Sequence, residues 1–247
     1  MTAVPRIAAL GAPEHWRTVD FISDLHLTAD EPLTFEAWER YLRATPADAV
    51  VILGDLFEVW VGDDSAVPAS FEDRCGRLLR AVSASRALLF MRGNRDFLVG
   101  TEFLARSGVH DLADPTVLAF AGTRWLLTHG DLLCTNDVAY QRFRREVRAD
   151  AWQRAFLARP LAERQALARQ MRAQSARHQA EQVMHAEVDA ALARRWLAQA
   201  DATTLIHGHT HRPGDHALGA DALGRALRQV VLSDWHVTAQ DRRAQVL

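Results

Sequence analysis

Three histidines at alternate positions, His207, His209 and His211, follow directly on the apolar pair Leu205 and Ile206. Such a cluster can bind a metal ion, with Gly208 letting the chain turn tightly enough for the His207 and His209 imidazoles to approach one centre. A histidine-rich surface loop would have the same sequence, so this stretch by itself leaves both readings open. Four further polar clusters share its design. Asp24 and His26 follow the run 18–23, Asp55 follows 49–53, Asn94 and Arg95 follow 87–91, and His129 follows 124–127. Mixed oxygen and nitrogen donors suit manganese, iron or zinc better than calcium or magnesium. The set Asp24, His26, Asp55, Asn94, His129, His207 and His209 is too large for one catalytic ion that keeps an open position. It suits two ions, roughly 3.5 to 4 Å apart, that share a carboxylate; Asp55 is the natural bridge. His211 is left outside this set, as a residue supporting a ligand or as a loop donor.

The elements that must position these residues alternate. Apolar runs at 18–23, 49–53, 87–91, 116–119, 124–127, 203–206 and 229–232 read as strands, whereas 31–44 and 71–84 carry apolar residues at helical spacing. Phe35, Trp38 and Leu42 mark the buried stripe of the first helix, and Leu78, Leu79 and Val82 that of the second. Strands alternating with helices predict an α/β fold. In such folds ligands bind beyond the carboxyl ends of the strands, where all five polar clusters fall.

From 140 to 200 no strand is predicted, helix formers dominate and Pro160 interrupts the run. The stretch holds 12 arginines against 6 acidic residues, giving +6, although the whole chain stands at -2. Trp152, Phe156, Leu157, Leu161, Leu167 and Met171 are interleaved with the arginines. A solvated helical face is one reading. The other is a basic cap with apolar surface, which receives an anionic substrate with greasy parts or meets an anionic membrane.

All 29 basic residues are arginine, which excludes P-loop and Schiff-base lysine chemistry. The near-neutral total gives no sign of a nucleic-acid partner. Cys75 and Cys134 are far apart with no Cys-x-x-Cys spacing, which predicts buried, inert thiols in a reducing compartment. Residues 1–15 lack the basic start and apolar core of a signal peptide, and no stretch approaches the roughly 18 apolar residues of a membrane span. A cytoplasmic protein is expected, one that can still rest on a membrane surface.

Asp24-x-His26, Gly54-Asp55, Gly93-Asn94, His129-Gly130 and His207-Gly208-His209, in this order across residues 19–213, resemble the calcineurin-like metallophosphoesterases. The resemblance implies a four-layered αββα sandwich, with Asp24, His26, Asp55 and His209 on one metal ion and Asp55, Asn94, His129 and His207 on the other. Many members have histidine after the Gly-Asn pair, where it can protonate an alkoxide leaving group; here Arg95 stands there. A guanidinium does not give up a proton at usable pH, but its forked donors neutralise charge on phosphate oxygens. Such a site suits a leaving group that needs no proton, such as a phosphate with its second pKa of about 6. The longer words Ser23-Asp24-Leu25-His26-Leu27, Gly54-Asp55-Leu56-Phe57-Glu58 with Gly62-Asp63-Asp64, Gly93-Asn94-Arg95-Asp96-Phe97-Leu98 and Cys134-Thr135-Asn136-Asp137 are similar to those of the branch that hydrolyses UDP-2,3-diacylglucosamine in lipid A synthesis.

That likeness implies cleavage of a pyrophosphate to UMP and 2,3-diacylglucosamine 1-phosphate, with water attacking the phosphorus bonded to uridine. Asp55, Asn94 and Arg95 would carry the catalysis, with two divalent ions, Mn2+ being the expected metal. Asn94, Arg95, Asp137, Arg172, Ser175, Gln179 and His207 would touch substrate, and Asp96 and Asp131 would orient metal-bound histidines. Residues 140–200 would form a helical cap on a core of 1–139 and 201–247. A monomer lying peripherally on the cytoplasmic face of the inner membrane is implied. Met171-Arg172-Ala173-Gln174-Ser175 is similar to a word in that branch's cap, whereas Gln179 and Gln182 stand where it has asparagine and lysine. Two other functions stay open: a metallophosphoesterase for a different nucleotide diphosphate or phosphodiester, or an interaction module that keeps its metals for structure.

Overall fold

Residues 49–53, Ala-Val-Val-Ile-Leu, are buried on both faces, which requires packed layers above and below them. The computed structural model describes residues 4–181 and 187–247, and the side chains of these outside 173–181. In chain order its elements are β1 (Ala8–Gly11), β2 (Val19–Ile22), α1 (Pro32–Ala44), β3 (Ala49–Leu53), α2 (Phe71–Ser83), β4 (Ala87–Met91), α3 (Thr101–Ser107), β5 (His110–Leu112), β6 (Thr116–Phe120) and β7 (Thr123–Leu127). There follow α4 (Val138–Val147), α5 (Asp150–Leu157), α6 (Leu161–Glu181), α7 (Ala190–Ala200), β8 (Thr204–His207), β9 (Gly214–Ala220) and β10 (Ala226–Val231). An all-parallel sheet has the order β2-β3-β4-β5, and a mixed six-stranded sheet the order β1-β6-β7-β8-β10-β9.

The period-2 alternation of strand side chains divides the apolar residues among three interfaces. Val50 and Ile52 pack with Phe35, Trp38 and Leu42 of α1 and Leu78, Leu79 and Val82 of α2. Ala49, Val51 and Leu53 face the other way, onto Leu118, Leu127 and Ile206 of the six-stranded sheet. That sheet's far side, through Val117, Leu126 and Leu205, packs on Leu192, Ala193, Trp196 and Leu197 of α7. Helix, sheet, sheet and helix make the four layers of an αββα sandwich, as the family resemblance implies. Local chemistry starts the helices. Pro32 opens α1, Ser70 accepts from Asp73 N at 3.1 Å to cap α2, and Asp189 accepts from Leu192 N at 3.0 Å to cap α7.

Within the stretch 140–200, α7 belongs to the fourth layer because its apolar stripe is buried there. Helices α5 and α6 instead lean on the edge of the first interface through Trp152, Phe156, Leu161 and Leu167. No helix among the described residues is long and apolar enough to cross a membrane. Parallel register then sets up the site. Ile22 pairs with Ile52 and Ile52 with Phe90, so the loops carrying Asp24, Asp55 and Asn94 leave the sheet side by side. Leu127 pairs with Ile206, and Gly208 N donates to His129 O at 3.0 Å just beyond.

Candidate metal centre

Backbone strain is concentrated where these loops meet. Asp24 (φ 53°), His26 (48°), Asp55 (52°), His209 (66°) and His211 (53°) are all left-handed, a conformation costing non-glycine residues on the order of 1–3 kcal/mol each. Neighbouring loops hold them in place. Asp24 N donates to Gly54 O at 3.1 Å and His26 N to Asp55 O at 3.0 Å; Arg95 N donates to Asp55 Oδ1 at 2.8 Å. Asp24 Oδ2 accepts from His209 N, also at 2.8 Å. A Cβ on Gly208 would lie 2.0 Å from Ser23 Oγ and 2.1 Å from Asp24 Oδ2. Gly208 therefore makes room for Asp24, rather than for a shared approach of His207 and His209.

Two clusters result. Asp24, His26 and His211 form one and Asp24, Asp55 and His129 the other, with the ligand atoms of each within 4.8 Å of one another. In the first, His211 Nε2 is 3.2 Å from His26 Nε2 and 3.3 Å from Asp24 Oδ1. Beside the second, Asn94 Oδ1 lies 2.9 Å from His129 Nε2 and 2.8 Å from His209 Nδ1. The side chains brought together are thus Asp24, His26, Asp55, Asn94, His129, His209 and His211.

His207 is not among them, which corrects the set read from the sequence by moving the histidine pair two residues on, to His209 and His211. His207 is the last residue of β8, and its fully buried ring has both nitrogens engaged. Nδ1 is 2.8 Å from Gly208 O and Nε2 is 3.0 Å from the Gln229 amide nitrogen. In the neutral tautomer that donates from Nδ1, no lone pair remains for a metal and no donor for substrate. Burial pushes its pKa down to about 4, in keeping with that neutral form.

Other groups fix which nitrogen faces the centre. Glu58 Oε2 is 2.8 Å from His26 Nδ1, and Leu53 O accepts from His129 Nδ1 at 2.9 Å, so Nε2 of each ring is the nitrogen turned toward the centre. Asp96 and Asp131, expected to orient histidines, do other things. The Asp96 carboxylate accepts from the backbone N–H groups of Leu56 (2.7 Å), Gly93 (2.8 Å), Asp55 and Phe57 (both 3.3 Å), fastening two loops together. Asp131 accepts from Tyr140 Oη at 2.6 Å and Arg144 Nε at 2.7 Å, which ties α4 to the base of the site.

The buried charges call for a cation. Burial would raise the Asp24 pKa, but the neighbouring imidazoles of His211, His129 and His26 hold it well below the usual carboxylate range. Burial would lower the His129 pKa, but Asp55, Asp131 and Asp24 lift it to about 9. Asp24 Oδ1 is buried and accepts no hydrogen bond, although two imidazole nitrogens stand 3.3 and 3.9 Å away. An unsatisfied buried carboxylate oxygen among imidazole and amide donors fits a divalent transition ion.

The residues expected to touch substrate are placed differently from one another. The Arg95 guanidinium makes no hydrogen bond or ion pair among the described residues, yet lies close enough to help lower the Glu58 pKa. Asp137 caps α4 by accepting from Tyr140 N at 2.9 Å. Arg172, on α6, pairs with Glu58 Oε1. Ser175 and Gln179 lie on α6 with side chains outside the description, and Gln182 falls outside the described residues altogether. Sequence reasoning missed Arg164, a buried arginine that donates to Asp64 Oδ1 at 2.8 Å and also to Val61 O. Its signal was the acidic word Gly62-Asp63-Asp64, which needed a basic partner.

Residues 17–213 match the family described as calcineurin-like phosphoesterase, and the chain belongs to that family. Its relatives narrow the class. The UDP-2,3-diacylglucosamine hydrolase of Stenotrophomonas maltophilia is 44% identical over 235 residues, covering 89% of this chain and 91% of that one. The UDP-2,3-diacylglucosamine hydrolases of Xanthomonas campestris (45% over 235 residues, 89% and 92% covered) and Chromobacterium violaceum (45% over 227 residues, 88% and 90% covered) are similar to the same extent.

Proposed function

We propose that this chain hydrolyses the pyrophosphate bond of UDP-2,3-diacylglucosamine to UMP and 2,3-diacylglucosamine 1-phosphate, with attack at the phosphorus bonded to uridine. The observation that carries this is the convergence of seven oxygen and nitrogen donors at buried strand ends, in a chain whose relatives bear that enzyme's name. Asp24, His26, Asp55 and His211 would hold one divalent ion and Asp55, Asn94, His129 and His209 a second, with Mn2+ the proposed metal. When bound, the ions would polarise phosphoryl oxygens and supply nucleophilic water at neutral pH.

The chain's own residues do the rest. Asn94 turns Oδ1 to His129 and His209, which leaves its amide N–H groups for a phosphoryl oxygen. The unengaged Arg95 guanidinium neutralises charge on the transferred phosphoryl. Position 95 offers no proton donor at usable pH, so the lipid phosphate, with its second pKa of about 6, is the fitting leaving group. Residues 140–200 are an insertion whose helices α4 to α6 cover the site; Asp137, Ser175 and Gln179 contact substrate from that side. The exposed Phe143 and Leu157 among its arginines support a monomer held peripherally on the cytoplasmic face of the inner membrane.

The test is turnover of UDP-2,3-diacylglucosamine with Mn2+ in 18O-labelled water. Labelled UMP, absent with Asp55→Ala, is expected. Label in the lipid phosphate would reject the point of attack. Cleavage of a generic phosphodiester without any UMP would reject the substrate.

A further inference from the structure

We propose that Glu58 is a positioning residue through which the helix α6 sets the orientation of His26. The inference rests on the assignment of His26 to a metal ion. Glu58 stands three residues after Asp55 and is largely buried, its side chain 18% exposed. Its two oxygens face in different directions: Oε2 meets His26 Nδ1 at 2.8 Å, and Oε1 takes a guanidinium nitrogen of Arg172 from α6. The carboxylate set against the Nδ1 edge of the ring makes Nε2 the nitrogen that faces Asp24 and His211. Without Arg172, Glu58 loses the partner that fixes its far oxygen. His26, in a left-handed backbone, then relies on a carboxylate free to swing.

The same helix is fixed a second time, two turns earlier. Buried Arg164 donates to Asp64 and to Val61 O, so both ties land on the segment 58–64 that continues from Asp55. Arg164 anchors the helix away from the centre, and Arg172 reaches from the anchored helix to the residue behind a ligand. Seating of α6 and the fit of the metal site are therefore linked, and by reciprocity each stabilises the other.

The test is Mn2+ affinity of the purified full chain, measured without substrate by competition with a chelator. Glu58→Gln should weaken binding by about tenfold or more, as loss of such supporting groups commonly does. Arg172→Met touches no proposed ligand but should weaken it by roughly three- to tenfold, and the double variant should be no worse than Glu58→Gln alone, since the two act in series. Arg172→Lys should recover part of the loss. Wild-type affinity in Arg172→Met, or additive losses in the double variant, would overturn the relay. Asp24→Asn is the control: if it does not weaken Mn2+ binding, the metal assignment itself fails.

Discussion

The strand-end loops meet at one centre, and the helices α4 to α6 beside them are held in the opposite way. In the loops, Asp24, Asp55 and His129 are buried, and their backbones are fixed by hydrogen bonds between adjacent loops, with Asp96 accepting from four N–H groups. The helices carry arginines and exposed apolar side chains. They reach the core through side-chain ties, among them Arg144 to Asp131, Arg164 to Asp64 and Arg172 to Glu58. A backbone-locked site keeps one geometry for phosphoryl chemistry, whereas helices held by side-chain ties have more freedom to shift. Substitutions in the loops should strike turnover and metal binding together; substitutions in the helices should strike substrate affinity first, and reach metal binding only through the Arg172–Glu58 tie.

The largest effect is expected from Asp55→Asn, which should lower turnover by roughly a thousandfold or more while circular dichroism stays unchanged. Gly208→Ala comes next. Its Cβ would collide with Ser23 and Asp24, so Mn2+ affinity should fall by about tenfold or more. An unchanged affinity would mean that the loops are less rigid than their hydrogen bonds imply. On the helical side, Arg164→Met assayed at saturating Mn2+ should raise KM about tenfold with kcat within about twofold, the signature of lost substrate binding rather than lost transition-state contacts. An equal fall in kcat would erase the contrast between the two regions.

The smallest effect separates the two regions without touching either site. Cys75 is on the buried face of α2 and Cys134 lies at the root of α4, both buried. Burial pushes the Cys75 thiol well up from 9.0 and the Cys134 thiol up to about 12. Each native thiol then keeps its proton where the unfolded one would lose it. The stability this adds is full below about pH 9 and is lost as pH rises from there toward 12. At pH 8.5 both should resist alkylation, with Cys134 reacting faster because the helical region opens locally. Equal rates would mean that the sheet core and the helical region open as one unit.

Much of this was legible in the sequence, and what was not has physical reasons. The runs 49–53 and 87–91 coincide with β3 and β4 because central parallel strands are buried on both faces and read as unbroken apolar segments. Strands β1 and β9 escaped because they lie at the sheet edges, are rich in alanine and glycine, and are half exposed. Strand β5, His-Asp-Leu, is too short to show a period. Asp24, His26, Asp55, Asn94 and His129 could be picked out because each follows its strand at once. The choice among His207, His209 and His211 could not be made from alternate spacing. It depends on β8 running through His207, whose ring stays beside Gln229, and on the left-handed turns at His209 and His211 that follow.

That histidine choice is also the most direct point of attack. Bound Mn2+ per chain, measured by mass spectrometric metal analysis after equilibration at a fixed free concentration, should be compared for His207→Gln and His211→Gln. With His211 as the ligand, His211→Gln should retain about half the wild-type metal and lose turnover, while His207→Gln keeps its full complement. Full loading of His211→Gln together with depletion in His207→Gln would contradict the site described above.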